Sequence, residues 1–254
     1  MEVLEDAGFR VVLPAGSLCC GRPLYDYGFL DQAEAQLRAI LTALRPALSA
    51  GTPIVGLEPS CVAVFRDELG NLFPTDEDAR RLKDQVFLLS EFLVSEGYAP
   101  PKLEGKALVH GHCHQKALMG MDSDMALLKR LGLDVALLDA GCCGMAGAFG
   151  FEAAHHDVAM QVGERVLLPA VREAADDTLV VADGFSCREQ IRQSTPRKAL
   201  HLAEVLALAL RQARPEPLEA KVPSRRNLGR AVGVGALALA VAGGLAIALR
   251  PRRR

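Results

Sequence analysis

Every cysteine in the first 190 residues follows a short aliphatic run, and this feature most restricts what the chain can fold into. The run 9–13 leads to Cys19-Cys20-Gly21, 53–57 to Cys61, and 107–110 to Cys113. The run 135–138 leads to Cys142-Cys143-Gly144, and 178–181 leads to Cys187. Runs this short and this rich in Val and Leu, separated by helical stretches, read as buried parallel strands of βα units. In open α/β sheets the loops beyond the carboxyl ends of the strands converge, so ligands collect there. Five strand ends that all deliver sulfur therefore predict one thiol-lined ligand site, or two.

The chain also repeats itself. Residues 1–8 and 125–132 each read as a helix end closed by glycine, Gly8 and Gly132. Each is followed by a strand, Cys-Cys-Gly, a helix (about 29–49 and 151–176), a second strand and Ser-Cys (Ser60-Cys61 and Ser186-Cys187). A helix with an acidic position closes each half, at Glu91 and Glu204. The expected fold is α/β, two similar units of short parallel sheet flanked by helices and related by a pseudo-twofold duplication. The first unit covers 1–104, the second 105–210, a linker 211–230 and an apolar helix 231–249. The second unit has an extra opening element, strand 106–110 with His112-Cys113-His114. Its counterpart is expected ahead of Met1, so the first unit reads as N-terminally truncated.

Charge and cysteine usage narrow the chemistry. The last 34 residues hold eight basic groups and no acid, leaving a body with 21 basic against 31 acidic residues. An acidic body argues against a nucleic-acid partner. Seven cysteines with no secretory signal at the start favour metal ligands or redox groups over structural disulfides.

The second unit offers Cys113, Cys142, Cys143 and Cys187, with 28 and 43 residues in the two gaps. Adjacent cysteines on extended backbone chelate one tetrahedral zinc poorly, because zinc pairs leave two or more residues between ligands. They suit different irons of one cluster. Glycine after the pair allows a tight turn and lets backbone N–H groups approach sulfur. The helix after Cys143 is expected to turn its positive end toward the thiolates. The first unit supplies only Cys19, Cys20 and Cys61, a weaker or incomplete site. On an extended segment alternate residues face opposite ways, so at most one or two of His110, His112 and His114 can join Cys113. They read as a polar rim hydrogen-bonding sulfur or shuttling protons. Glu58 is a candidate iron ligand or helix cap. His155 and His156 read as surface residues or partner contacts. The run 144–150 lacks the lysine of a phosphate loop and reads as close packing beside the cluster.

The segments Leu18-Cys19-Cys20-Gly21-Arg22-Pro23, Glu58-Pro59-Ser60-Cys61, Gly111-His112-Cys113-His114-Gln115-Lys116-Ala117-Leu118 and Gly141-Cys142-Cys143-Gly144-Met145-Ala146-Gly147 resemble the duplicated cysteine-rich "CCG" domain. That domain occurs in the B subunit of heterodisulfide reductase and in the iron–sulfur subunits of glycolate oxidase and anaerobic glycerol-3-phosphate dehydrogenase. It also forms the carboxyl end of FAD-linked D-2-hydroxyacid (lactate-type) dehydrogenases, which the strings at 112–118 and 142–150 resemble most. The resemblance covers roughly residues 1–210. It implies a [4Fe–4S]-type cluster on Cys113, Cys142, Cys143 and Cys187, with Cys19, Cys20 and Cys61 as a second set and His112, His114, Gly144 and Glu58 around them. It also implies electron flow from reduced flavin to a quinone or other acceptor. FAD would lie only on a partner, a flavin-containing dehydrogenase subunit or a missing N-terminal portion. No residue here is expected to be catalytic, and the chain alone is not expected to oxidise a hydroxyacid. Where the reductase has Cys-x-x-Cys, this chain has Glu58 or Gly184 at the first position. The alternatives are a thiol–disulfide reductase working through Cys142-Cys143 and a zinc-stabilised scaffold without catalysis.

Residues 231–249 contain no charge, seven alanines and four glycines, flanked by Arg230 and Arg250. At 1.5 Å per residue such a helix just crosses a bilayer. Two readings stand, a C-terminal anchor holding the body at the cytoplasmic face or a helix lying on an anionic membrane surface. Both suit electron delivery to a membrane quinone.

Overall fold

The computed structural model describes residues 1–214 and 247–251. Eight strands form two four-stranded sheets. The first contains β1 (Phe9–Val12), β2 (Ile54–Gly56), β3 (Val86–Leu88) and β8 (Ile247–Pro251), in the order β1-β8-β2-β3. The second contains β4 (Gly105–Val109), β5 (Leu133–Leu137), β6 (Leu179–Val181) and β7 (Ala199–Leu200), in the order β5-β4-β6-β7. All pairings in the second sheet are parallel, as is β2 with β3. The duplicated α/β architecture expected from the repeat is therefore present. β1, β2 and β3 correspond to β5, β6 and β7, and the place of β4 is taken by β8.

β8 takes the last three residues of the expected apolar helix 231–249 as strand. It runs antiparallel to both β1 and β2 and removes Ile247, Ala248 and Leu249 from the run 231–249. The rest of it, 231–246, falls outside the described residues. Among the described residues no helix is long and apolar enough to cross a membrane.

Each sheet has its own core. In the first unit, Leu37, Leu41, Leu44 and Leu48 of helix Leu30–Ser49 recur at helical spacing and close over Ile54, Phe65 and Val86. In the second, Leu167, Leu168 and Val171 pack on Val180 and Ile191. The expected helix over 151–176 is in fact two 3₁₀ turns and two helices, His156–Gly163 and Leu167–Glu173. Pro169, in the first turn of the later helix, lacks a backbone N–H and cannot continue the earlier one.

A third core joins the units. The opening helix of each packs on the closing helix of the other: Glu2–Asp6 on Leu202–Ala213, and Leu89–Ser95 on Asp122–Leu131. Leu4, Phe92, Leu128, Leu131, Val205 and Leu206 are buried together there. The two acidic positions have matching roles. Glu91 Oε2 accepts the N–H of Leu88 at 2.8 Å and Glu204 Oε2 accepts that of His201 at 2.8 Å, each closing the first turn of its helix.

Candidate metal centre

The carboxyl ends of both sheets open on one cleft of about 670 Å³, lined by Cys19, Cys20, Cys61, Cys113, Cys142 and Cys143. Cys187 is buried and packs with Cys143 in one apolar cluster. All seven cysteines are reduced. The two sets expected from sequence thus share a single cavity between the units.

In the second unit the thiols form a row, Cys113 to Cys142 to Cys143 to Cys187, each close enough to shift the ionisation of the next. The turn after the pair supports them. Gly144, at φ +98°, donates its N–H to Cys142 Sγ at 3.3 Å, and Ala146, at φ +41°, directs a second N–H to the same sulfur. A Cβ at Gly144 would overlap the Ala159 carbonyl oxygen, so only glycine fits. Left-handed Ala146 and Gly147 postpone the next α-helix to His156. This corrects the expectation that a helix end follows Cys143 directly. The helix first turns instead hold Cys61, Cys113 and Cys187.

Neighbouring thiols and backbone N–H groups push the Cys142 thiol far down. Cys187 is brought to about 6 by its bond from Cys143, against the opposing effect of burial and with help from His110. Cys113 and Cys143 are pushed up, because each donates to the Cys142 sulfur. In the first unit Cys20 Sγ lies 3.0 Å from Cys61 Sγ, and Cys20 is pushed up to about 12. Cys19 is exposed, and its neighbour Cys20 pushes its thiol up.

The histidines separate into three roles. Burial, more than the charges of His114 and His110, holds His112 down to about 4, and its Nδ1 accepts the His114 N–H at 3.2 Å. Its ring fills the space beside Gly184, where any Cβ would overlap it. The first position of a Cys-x-x-Cys in this unit is closed by that ring. His114 meets Arg22 of the first unit at 3.0 Å, and Arg22 also pairs with Glu68. Burial lowers the pKa of His114, and the Arg22 charge lowers it further.

His110, which sequence places only among the rim histidines, lies deeper than that. It is 2 % exposed, neither ring nitrogen has an aligned hydrogen-bond partner, and it faces Cys187. An orphaned buried imidazole at the end of a thiol row is what a site built around a further polar group requires. The signal that could have found it is its place on the last turn of chain before Cys113.

Glu58 caps helix Pro59–Arg66 and reaches into the other unit, accepting the Phe185 N–H at 2.8 Å. Burial raises its pKa. His155, expected on the surface, lines the cleft stacked on Phe149 with ring centroids 4.0 Å apart. Across the mouth Tyr27 of the first unit bonds Glu152 of the second.

Among the described residues, no three His, Cys, Asp or Glu side chains are grouped to hold a single metal ion. Four thiols in a row, drawn from three strand ends and supplied with N–H donors, fit a group with several metal atoms, each taking its own sulfur.

Fold and site together define a duplicated, thiol-lined α/β module. The chain belongs to the cysteine-rich (CCG) domain family, whose pattern matches residues 1–66 and 109–192. It is 30% identical over 217 residues to the C subunit of anaerobic glycerol-3-phosphate dehydrogenase of Escherichia coli, covering 83% of this chain and 54% of that one. It is 32% identical over 222 residues to lactate utilization protein A of Bacillus licheniformis, covering 81% and 90%. D-2-hydroxyglutarate dehydrogenase of Pseudomonas putida is 30% identical over 209 residues, 81% of this chain and 20% of its own length. The chain thus spans about half of the first relative and nearly all of the second.

Proposed function

We propose that this chain is an iron–sulfur electron-transfer component of a flavin-dependent dehydrogenase acting on a small hydroxyacid or glycerol phosphate. The observation that carries this reading is the row of four thiols beneath two backbone N–H donors in a cleft. Cys113, Cys142, Cys143 and Cys187 would hold a [4Fe–4S]-type cluster, which when bound supplies one-electron storage. Cys19, Cys20 and Cys61 would form a second, lesser site. The names of the relatives support a dehydrogenase setting.

The protein's own residues provide the environment. Gly144 and Ala146 N–H groups stabilise negative charge on Cys142. Arg22 and His114 place a positive charge and a proton-accepting nitrogen inside the cleft, suited to the charge and proton changes of an organic acceptor. Phe149, Phe151, Phe185 and Tyr27 give the mouth aromatic edges that suit a planar acceptor such as a quinone. FAD would sit on a partner, residues 1–104 and 105–210 would be the two units, and the body would work at the cytoplasmic face of the membrane.

The test is electron relay by the full chain under anaerobic conditions. Reduced flavin mononucleotide should bleach its visible absorbance and a water-soluble quinone should restore it, with both changes lost in Cys142→Ser. Absorbance that responds to neither reagent would sink the reading.

A further inference from the structure

The loop that delivers Cys142 is held by a side chain from another cysteine-bearing element. Lys116 lies on helix Cys113–Leu118, three residues after Cys113, so the two side chains leave the same face one turn apart. Its Nζ donates to the Gly141 carbonyl oxygen at 2.9 Å and to that of Ala140, the two carbonyls directly before Cys142. Helix and loop therefore meet twice, at Cys113 beside Cys142 and at Lys116 against the loop backbone. One contact between thiols would leave the loop free to swivel about it. Two contacts fix its orientation.

The stem of Lys116 has its own support. A Cβ at Gly111 would lie 3.1 and 3.2 Å from Lys116 Cγ and Cδ, and 2.7 Å from Met121 Sδ. Bare backbone at Gly111 thus lets the stem pass close by and reach the loop. Arg188, next to Cys187, makes a contrast. Its Nη1 donates to the Ala182 carbonyl at 3.2 Å and to that of Asp183, closing one loop onto the helix that follows it within six residues of chain. Lys116 reaches across 24 and 25 residues and joins two segments that carry different thiols.

We propose that Lys116 is a positioning residue for the metal centre: it sets the Cys142 loop against the Cys113 helix and brings a positive charge to that end of the thiol row. The hold on the loop keeps the Cys113 and Cys142 sulfurs at a fixed spacing, which slows loss of metal. The charge favours an added electron and so raises the potential of a cluster bound there. The effects on metal and potential rest on the iron–sulfur reading; the hold on the loop does not.

The experiment compares wild type, Lys116→Met and Lys116→Arg as full chains purified without oxygen. Methionine keeps an apolar stem and loses the donors and the charge, whereas arginine keeps both. Lys116→Gln, shorter and uncharged, repeats the comparison should the methionine variant not fold. Hydrogen–deuterium exchange reads the loop, and amides of 142–146 should exchange about tenfold or more faster in Lys116→Met, with or without iron in the chain. Iron transfer to an added chelator should run about tenfold faster in Lys116→Met, and redox titration should place its midpoint at more negative values. Lys116→Arg should stay close to wild type in all three. Unchanged exchange at 142–146 in Lys116→Met overturns the hold on the loop. Faster exchange with iron transfer and midpoint both unmoved makes Lys116 a support of the fold alone and overturns the positioning role. A wild-type chain that takes up no iron sinks the cluster reading instead, and exchange still decides the hold on the loop.

Discussion

Replacing Asp124 by asparagine tests how the two units are latched. Asp124, on helix Asp122–Leu131, is 5 % exposed and its Oδ2 accepts from Ser90 Oγ of the first unit at 2.9 Å and from Gln115 Nε2 at 2.8 Å. Burial, then the Asp183 charge, pushes its carboxyl from an ordinary 3.8 up to about 8, against the pull of those two donors. The folded protein therefore keeps a proton that the unfolded chain gives up near pH 4. This contribution is complete below pH 4, falls as pH rises, and is gone above about pH 8. At about 1.4 kcal/mol per pH unit the loss between pH 5 and 8 has a ceiling of about 3 to 4 kcal/mol. Asparagine keeps an acceptor and cannot ionise. The chain has no tryptophan, so urea unfolding of metal-free, reduced protein is followed by far-UV circular dichroism. Wild type should lose stability relative to Asp124→Asn across that range. A difference that is flat, or that grows in favour of wild type with pH, refutes the argument.

Other substitutions probe the thiol row. Gly144→Ala sets a side chain against the Ala159 carbonyl at a left-handed position, and should cost at least the 1–3 kcal/mol of such strain and lower iron retention, read by metal analysis after desalting. His110→Leu removes the orphaned imidazole facing Cys187 and should leave iron content intact while moving the midpoint potential to more negative values, because a donor near sulfur is lost. An unmoved potential in redox titration would remove His110 from the site. Glu58→Gln has one acceptor oxygen where Ser60 and Phe185 use two, so its thermal midpoint should fall, but by less than that of Glu58→Ala, which loses the cap altogether and should cost about 0.5–2 kcal/mol.

The duplicated strand–Cys-Cys-Gly–helix–strand–Ser-Cys order was legible because strand, glycine and cysteine recur at matched places along one chain. The matched acidic positions Glu91 and Glu204 were visible too, though not their role as helix caps. β3 and β7 were not, since three and two residues are too few to show a period. The break in 151–176 depends on Gly163, where a Cβ would press on the Cys143 carbonyl, and on Pro169. β8 was read as helix because an alanine- and leucine-rich run fits both states, and only the place between β1 and β2 makes it a strand. The shared cleft and the orphaned state of His110 arise from packing between elements, which spacing along the chain does not encode.

The central claim is that Cys113, Cys142, Cys143 and Cys187 hold an iron–sulfur cluster. It is tested most directly by iron, labile sulfide and zinc analysis with electron paramagnetic resonance on the full chain purified without oxygen, beside Cys143→Ser. About four irons and matching sulfide are expected on these cysteines, with the resonance lost in the variant. Zinc alone, no metal in folded protein, or unchanged iron in Cys143→Ser would contradict it.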